Sequence, residues 1–174
     1  MKKYTFIAFI VLAALTVMGC SKKKSYTNVN ATYVESPALP SQDELQNIAK
    51  KDKSTGKIDV DLTKMSSTMI YSYIFDMLMD AESYKEKTIK VKGFFQVFVN
   101  DNSDDMYYAI IIPDAAACCQ QGIEFIWAGE HEYPDDYPQL GQEITVTGKY
   151  KIFITKEGIQ YSYLQVNQMD FEAI

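Results

Sequence analysis

The sequence has no arginine and only one histidine, and each shortage argues against a class of function. Without arginine, the chain lacks the planar side chain that pairs bidentately with phosphates and guanine bases. A single histidine leaves little basis for histidine-dependent catalysis. The net charge is −6 over 174 residues, and an acidic chain repels nucleic acid. We therefore expect no nucleic-acid partner and no enzymatic activity, in a chain whose 47% hydrophobic content is that of a globular protein.

The first 19 residues have the pattern of a secretory signal: a basic start, 14 mostly apolar residues from Thr5 to Met18, and a small residue before the break. Fourteen residues are fewer than the roughly 20 needed to cross a bilayer. Residues 17–20, Val-Met-Gly-Cys, resemble the lipobox of bacterial lipoproteins. This resemblance implies that Cys20 is lipidated, with acyl chains such as palmitate, and becomes the mature N-terminus. It predicts an extracytoplasmic protein, lipid-anchored in the cell membrane or the outer membrane.

Residues 20–57 are polar and rich in lysine, which is typical of a flexible tether. We predict that the folded domain occupies residues 58–174. Charge is divided unevenly along the chain: residues 93–174 have 3 lysines against 13 acidic residues, a net charge of −10, whereas residues 20–92 have a net charge of +2. The pattern indicates an acidic domain on a slightly basic stalk.

The apolar spacing after Ser66 and Ser67 predicts a helix to about Met79. The period then changes to two, and we predict five strands, near residues 89–99, 106–112, 122–128, 143–155 and 159–167. Gly93 and Gly148, inside long strands, are typical of a sheet that bends sharply. We therefore predict a mainly β fold, a five-stranded OB-like Greek-key barrel with an N-terminal helix.

Three segments resemble parts of OB-fold proteins. Residues 84–93 and 140–148 are similar to the first and fourth strands of that fold. Residues 118–125, which begin Cys-Cys-Gln-Gln-Gly, resemble the double-cysteine segment of secreted bacterial OB-like domains, including the soluble part of a permease-subunit family. The resemblance implies an OB-like domain over about residues 62–170. It implies little about activity, because one fold supports many functions.

Cys118 and Cys119 are adjacent, and neighbouring Cα atoms lie about 3.8 Å apart, closer than the Cα atoms of an ordinary disulfide. Three interpretations stay open: one cysteine packed in the barrel with the other in the turn, a redox-active vicinal disulfide, or two ligands of a soft metal such as zinc or copper. His131, surrounded by carboxylates, is a candidate ligand of the same metal site or a solvated loop residue. Which metal would bind is unknown.

Six aromatic residues lie on predicted strands where an OB face stacks on its ligands, and we expect most of them to pack in the core or in cross-strand pairs: Tyr107, Tyr108, Trp127, Tyr150, Tyr161 and Tyr163. The candidates for a ligand-binding face are Tyr107, Trp127, Tyr161 and Tyr163. Because these four aromatic residues have no basic residues beside them, we expect the partner to be a polysaccharide, a peptide or an envelope protein. We predict a membrane-anchored binding or interaction module with no catalytic residues and no cofactor. The alternative is a metal- or thiol-handling protein acting through Cys118 and Cys119, and an enzyme is the third hypothesis.

Overall fold

The computed structural model of the protein describes residues 32–34, 46–47, 56–100, 105–116, 119–156 and 158–172. The predicted signal peptide and most of the predicted tether lie outside the described residues, as do Cys20 and Cys118. Within the described ranges, no helix is both long enough and apolar enough to cross a membrane.

The predicted helix is confirmed as α1, Ser67–Met79. It begins where predicted because the hydroxyl of Ser66 accepts a hydrogen bond from the backbone N–H of Met69, at 3.4 Å, and caps the first turn. One side of α1 is buried, namely Ile70, Ile74 and Met77, at the spacing of a single helical face. A short 3-10 helix precedes α1 at Leu62–Lys64, and another follows it at Ala81–Tyr84.

The mainly β prediction is also confirmed. The described strands form one mixed sheet: β1 (Thr32–Val34), β2 (Val60–Asp61), β3 (Thr88–Asn100), β4 (Met106–Pro113), β5 (Gln120–Trp127), β6 (Glu143–Ile154) and β7 (Gln160–Asp170). The five strands predicted from the period-two pattern correspond to β3 to β7, each within three residues at both ends.

β3 changes its partner halfway along its length. Thr88–Gly93 pair with β6, whereas Phe94–Val99 pair with β4, both antiparallel. β4 pairs with β5, β5 runs parallel to β7, and β7 pairs with β6. The hydrogen-bonded order β3-β4-β5-β7-β6 therefore returns to β3. The change occurs at Gly93, where an added Cβ would lie 2.8 Å from the carbonyl oxygen of Ile111, so the strands meet too closely for a side chain.

β1 and β2 are short parallel partners of β3 that the sequence did not predict. β1 lies inside the segment predicted to be a tether, yet it pairs with Phe98–Asn100, and β2 pairs with Ile89 and Lys90. Strands of two or three residues have no alternation of their own to detect. Their position is set by β3, and Thr32–Val34 therefore belong to the sheet.

The main core lies between the sheet and α1. Tyr150 of β6 is fully buried, and its hydroxyl donates a hydrogen bond to the carbonyl oxygen of Met77, at 2.7 Å. Phe95 and Phe125 are buried in the same cluster, with ring centroids 6.1 Å apart. The helix therefore closes one side of a continuous apolar core.

Candidate functional site

Three of the four aromatic residues predicted for a ligand-binding face are buried. Tyr107 is 1% exposed, Tyr163 is 2% exposed and Tyr161 is 8% exposed. A buried ring has no free face on which a ligand can stack, so these three do not form the predicted platform in this conformation. Trp127 alone of the four is partly exposed.

The buried tyrosines surround a carboxylate that the sequence analysis did not single out, that of Glu124 on β5. The Tyr161 hydroxyl donates a hydrogen bond to it, and Tyr161 stacks on Tyr163 with ring centroids 5.9 Å apart. Burial raises the pKa of Glu124, because the charged form loses solvation. Burial also raises the pKa of Tyr161, helped by the nearby charge of Glu124, and raises the pKa of Tyr163 to about 12.

We expect Glu124→Gln to stabilise the protein at pH 7. The raised pKa means that ionised Glu124 costs the folded state free energy, a cost fully present above the folded pKa and lost as the pH falls through the ordinary value of 4.5. Glutamine keeps an acceptor for Tyr161 and removes the charge. The denaturation midpoint should therefore rise at pH 7, with the difference from wild type disappearing near pH 4, as measured by thermal unfolding at several pH values.

The matched control for this measurement is Glu130→Gln, which neutralises an exposed carboxylate. It should not reproduce the pH-dependent gain. A lower midpoint for Glu124→Gln at pH 7 would contradict the assignment of Glu124 as a destabilising, partly buried charge.

Trp127 lies at the end of β5, where its indole stacks on the imidazole of His131 with ring centroids 3.6 Å apart and planes inclined by 8°. Gly129 lies between them with a φ of 124°, a conformation that side-chain-bearing residues rarely adopt. An added Cβ at Gly129 would lie 3.1 Å from Nε2 of His131. Glycine at this position therefore allows the loop to fold the histidine back onto the tryptophan.

Three tyrosines support this stacked pair, and we call the five residues Tyr108, Trp127, His131, Tyr133 and Tyr137 the aromatic cap. Tyr137 meets Trp127 edge to face at 5.4 Å and stacks on Tyr108 at 4.4 Å. Tyr133 lies 5.7 Å from Tyr108 and is buried with Tyr137. The tyrosines pack against the main core, so they fix the positions of Trp127 and His131, which remain partly exposed.

The loop that carries His131 is acidic. Its four exposed carboxylates belong to Glu130, Glu132, Asp135 and Asp136. The backbone N–H of Glu132 donates a hydrogen bond to the carboxylate of Asp136, at 2.7 Å, which fixes the loop's turn. The sequence has no lysine or arginine from residue 93 to residue 148. The cap therefore presents aromatic rings beside acceptors of hydrogen bonds, a combination suited to hydroxyl- or ammonium-bearing ligands.

The structure separates two of the predicted metal ligands. Cys119 is exposed immediately before β5, and His131 follows its other end, so the length of the strand, about 23 Å, lies between them. One ion cannot bind both Cys119 and His131 in this conformation, so a metal site at Cys118 and Cys119 would need ligands other than His131. In the part of the chain that the structure describes, no group of three or more histidine, cysteine, aspartate or glutamate side chains is arranged to hold a metal ion.

Sequence reasoning missed Tyr133 and Tyr137, which anchor the cap. A signal was present, because Tyr-Pro occurs at residues 133–134 and again at 137–138, four residues apart in an otherwise polar loop. Aromatic residues repeated at fixed spacing in a loop indicate that the loop packs on the domain.

A separate open groove of about 590 Å³ lies where β3 and β6 meet the end of β7. Lys92 and Glu143 form an ion pair of 2.8 Å on its wall. The groove contains Phe171 but none of the stacked rings found at the cap, so the cap is the stronger candidate for ligand recognition.

In comparisons with known proteins, no family model and no curated protein matches the chain. The functional interpretation therefore depends on the geometry of the cap itself.

Proposed function

We propose that the protein is an extracytoplasmic lipoprotein, anchored through Cys20, whose domain binds an uncharged or amino-sugar polysaccharide at the aromatic cap. The lipobox-like residues 17–20 support the anchor. We further propose that the domain is an OB-like Greek-key barrel. Support comes from the ring of strand pairings, in which β3 pairs with both β4 and β6, and from the parallel pairing of β5 with β7.

The observation that carries the ligand proposal is that Trp127 and His131, each covering one ring face of the other, stay partly exposed beside exposed carboxylates. Flat aromatic rings pack against the apolar faces of sugar rings, while carboxylates accept hydrogen bonds from sugar hydroxyls. OB folds use their second and third strands to bind oligosaccharides and oligonucleotides, and Trp127 ends the strand that corresponds to the third. The acidic loop disfavours a polyanion, which leaves neutral and amino-bearing glycans.

There are two alternatives to a glycan-binding function: a peptide ligand at the same site, and a metal- or thiol-handling function. A peptide with basic side chains fits the same acidic rim, and the test below separates it from a glycan. The metal- or thiol-handling hypothesis now depends on Cys118 and Cys119 without His131.

Trp127 is the sole tryptophan, so its fluorescence reports on the proposed site directly. We expect neutral or amino-bearing oligosaccharides to change this emission, and acidic ones to leave it unchanged. Trp127→Ala should weaken binding to the same oligosaccharides by about 5- to 150-fold, since one stacked ring contributes about 1–3 kcal/mol. Calorimetric titration against a panel of defined oligosaccharides measures the loss.

The matched control is Phe75→Ala, which removes an exposed aromatic ring from α1, away from the cap. It should bind as wild type does. Equal binding by wild type and Trp127→Ala would contradict the site, and a response to basic peptides but to no oligosaccharide would contradict the ligand class.

A further inference from the structure

α1 carries a second apolar face on the side away from the core. Phe75 is 50% exposed, Leu78 is 38% exposed and Met79 is 72% exposed. Leu78 and Met79 follow Phe75 by three and four residues, so both lie one turn further along the same side of the helix. The buried face, by contrast, is formed by Ile70, Ile74 and Met77. A soluble helix normally buries one apolar stripe and exposes a polar one, and the second stripe therefore needs an explanation.

Two further exposed apolar side chains lie at the same end of the sheet. The hydroxyl of Tyr71 on α1 accepts a hydrogen bond from Gln121, near the start of β5, at 3.3 Å. β7 runs parallel to β5 with Glu124 opposite Tyr163, so the start of β7 points to the same end. Ile154 and Ile159, at the end of β6 and just before β7, are 55% and 47% exposed.

The two ends of the molecule differ in net charge. The acidic loop with the aromatic cap follows Trp127, at the far end of β5, about 20 Å from the contact between Gln121 and α1. Residues 56–92, which include α1, have six lysines and six acidic residues, and are therefore neutral. An anionic lipid surface repels the acidic end and tolerates the neutral, apolar one.

We infer that the exposed face of α1, formed by Phe75, Leu78 and Met79, docks into the surface of the bilayer that holds the lipid anchor, with Ile154 and Ile159 beside it. This inference rests on the proposed anchor at Cys20. Because Thr32–Val34 already pair with β3, the 12 residues from Cys20 to Ala31 link the anchor to the sheet. Fully extended they span at most about 40 Å, more than the length of β5, so the exposed face of α1 can reach the membrane. Three α1 side chains expose too little area for a second copy, since a stable interface needs about 800 Å² from each partner. Insertion into the headgroup region needs only a few apolar side chains.

Docking in this orientation has a functional meaning. It directs the cap away from the lipid, towards whatever lies outside the membrane. The proposed ligand site and the proposed membrane face are therefore at opposite ends of β5.

The test uses the full-length lipidated protein in vesicles of phosphatidylethanolamine and phosphatidylglycerol whose acyl chains are brominated. Trp127→Phe removes the native indole, and Phe75→Trp then places a single indole on the docking face. We expect brominated lipid to quench this indole several-fold more than native Trp127, and acrylamide in the aqueous phase to quench it less. Met69→Trp in the same background is the matched control, because Met69 is 57% exposed on α1 but lies on a different face.

The outcomes distinguish docking from anchoring. In one outcome the protein sediments with vesicles and Cys20→Ala releases the protein from them, but acrylamide still quenches the indole from Phe75→Trp. That outcome overturns docking and supports the anchor. If Cys20→Ala leaves the protein on the vesicles with the same bromine quenching, docking stands and the anchor is overturned. Shielding of the indole that depends on protein concentration without lipid indicates self-association and overturns docking, as does equal quenching of the Met69→Trp control.

Discussion

Replacing Gly148 with valine should lower the free energy of unfolding by about 3 kcal/mol, because β6 lies too close to its neighbour β7 at this position to leave space for a side chain. A Cβ on Gly148 would lie 2.5 Å from the carbonyl oxygen of Gln165 and 2.9 Å from the Cα of Val166. Both are backbone atoms, so relief requires the strands to separate. The register of β6 against β7 shifts between Thr147 and Gly148, which places the close contact at an irregularity of the ladder.

Chemical denaturation measures this loss as a lower midpoint with an unchanged slope. Gly56→Ala is the matched control, since a Cβ there meets only the Thr88 hydroxyl oxygen, at 3.4 Å. The control should unfold close to wild type. A Gly148→Val protein with the wild-type midpoint would contradict the close packing of β6 on β7.

Phe95→Ala should cost about 4 kcal/mol of stability, the second large effect, because it leaves a cavity where the sheet meets the cap. Phe95 is fully buried, and its ring lies 6.0 Å from Tyr137 and 6.2 Å from Tyr108. The backbone of Phe95 also accepts a hydrogen bond from Gly141 and donates one to Gln142, both at 2.8 Å, so this residue holds the end of the cap loop against β3.

The neighbouring Phe94 supplies a matched control in which the same side chain is removed from the opposite face of β3. Phe94 is 41% exposed, and Phe94→Ala should cost less than about 1 kcal/mol. Similar losses for the two variants would show that the inward and outward faces of β3 are assigned wrongly. Phe95→Ala should also increase the exposure of Trp127 to acrylamide, because the support beneath the cap is lost.

Local patterns were sufficient to predict the helix and the five principal strands. Ser66 has the hydroxyl that caps α1, and the alternation from Ile89 onward marks β3 before any pairing is known. The spacing of two residues places Tyr161 and Tyr163 on one face of their strand. It does not show which face of the strand is buried, because a period of two separates the two faces without saying what covers either one.

The candidate site was predicted only in part, because it depends on contacts that are distant or require unusual backbone geometry. Trp127 was identified, but its partner His131 reaches it through the positive φ of Gly129. The distance between Cys119 and His131 follows from the extended path of β5, which the sequence analysis predicted as a strand without applying it to the proposed metal site. Placing both residues at the ends of that strand would have separated them without a structure.

The change of partner along β3 has a kinetic consequence. Thr88–Gly93 pair with residues of β6 that follow more than 50 positions later, so the sheet cannot close until most of the chain is present. Pairings this distant in sequence slow folding, because the chain entropy is lost before the contacts form. Until β6 arrives, the first half of β3 has an open backbone edge, which can pair with another chain. The interval before the sheet closes is therefore when this protein is most exposed to aggregation.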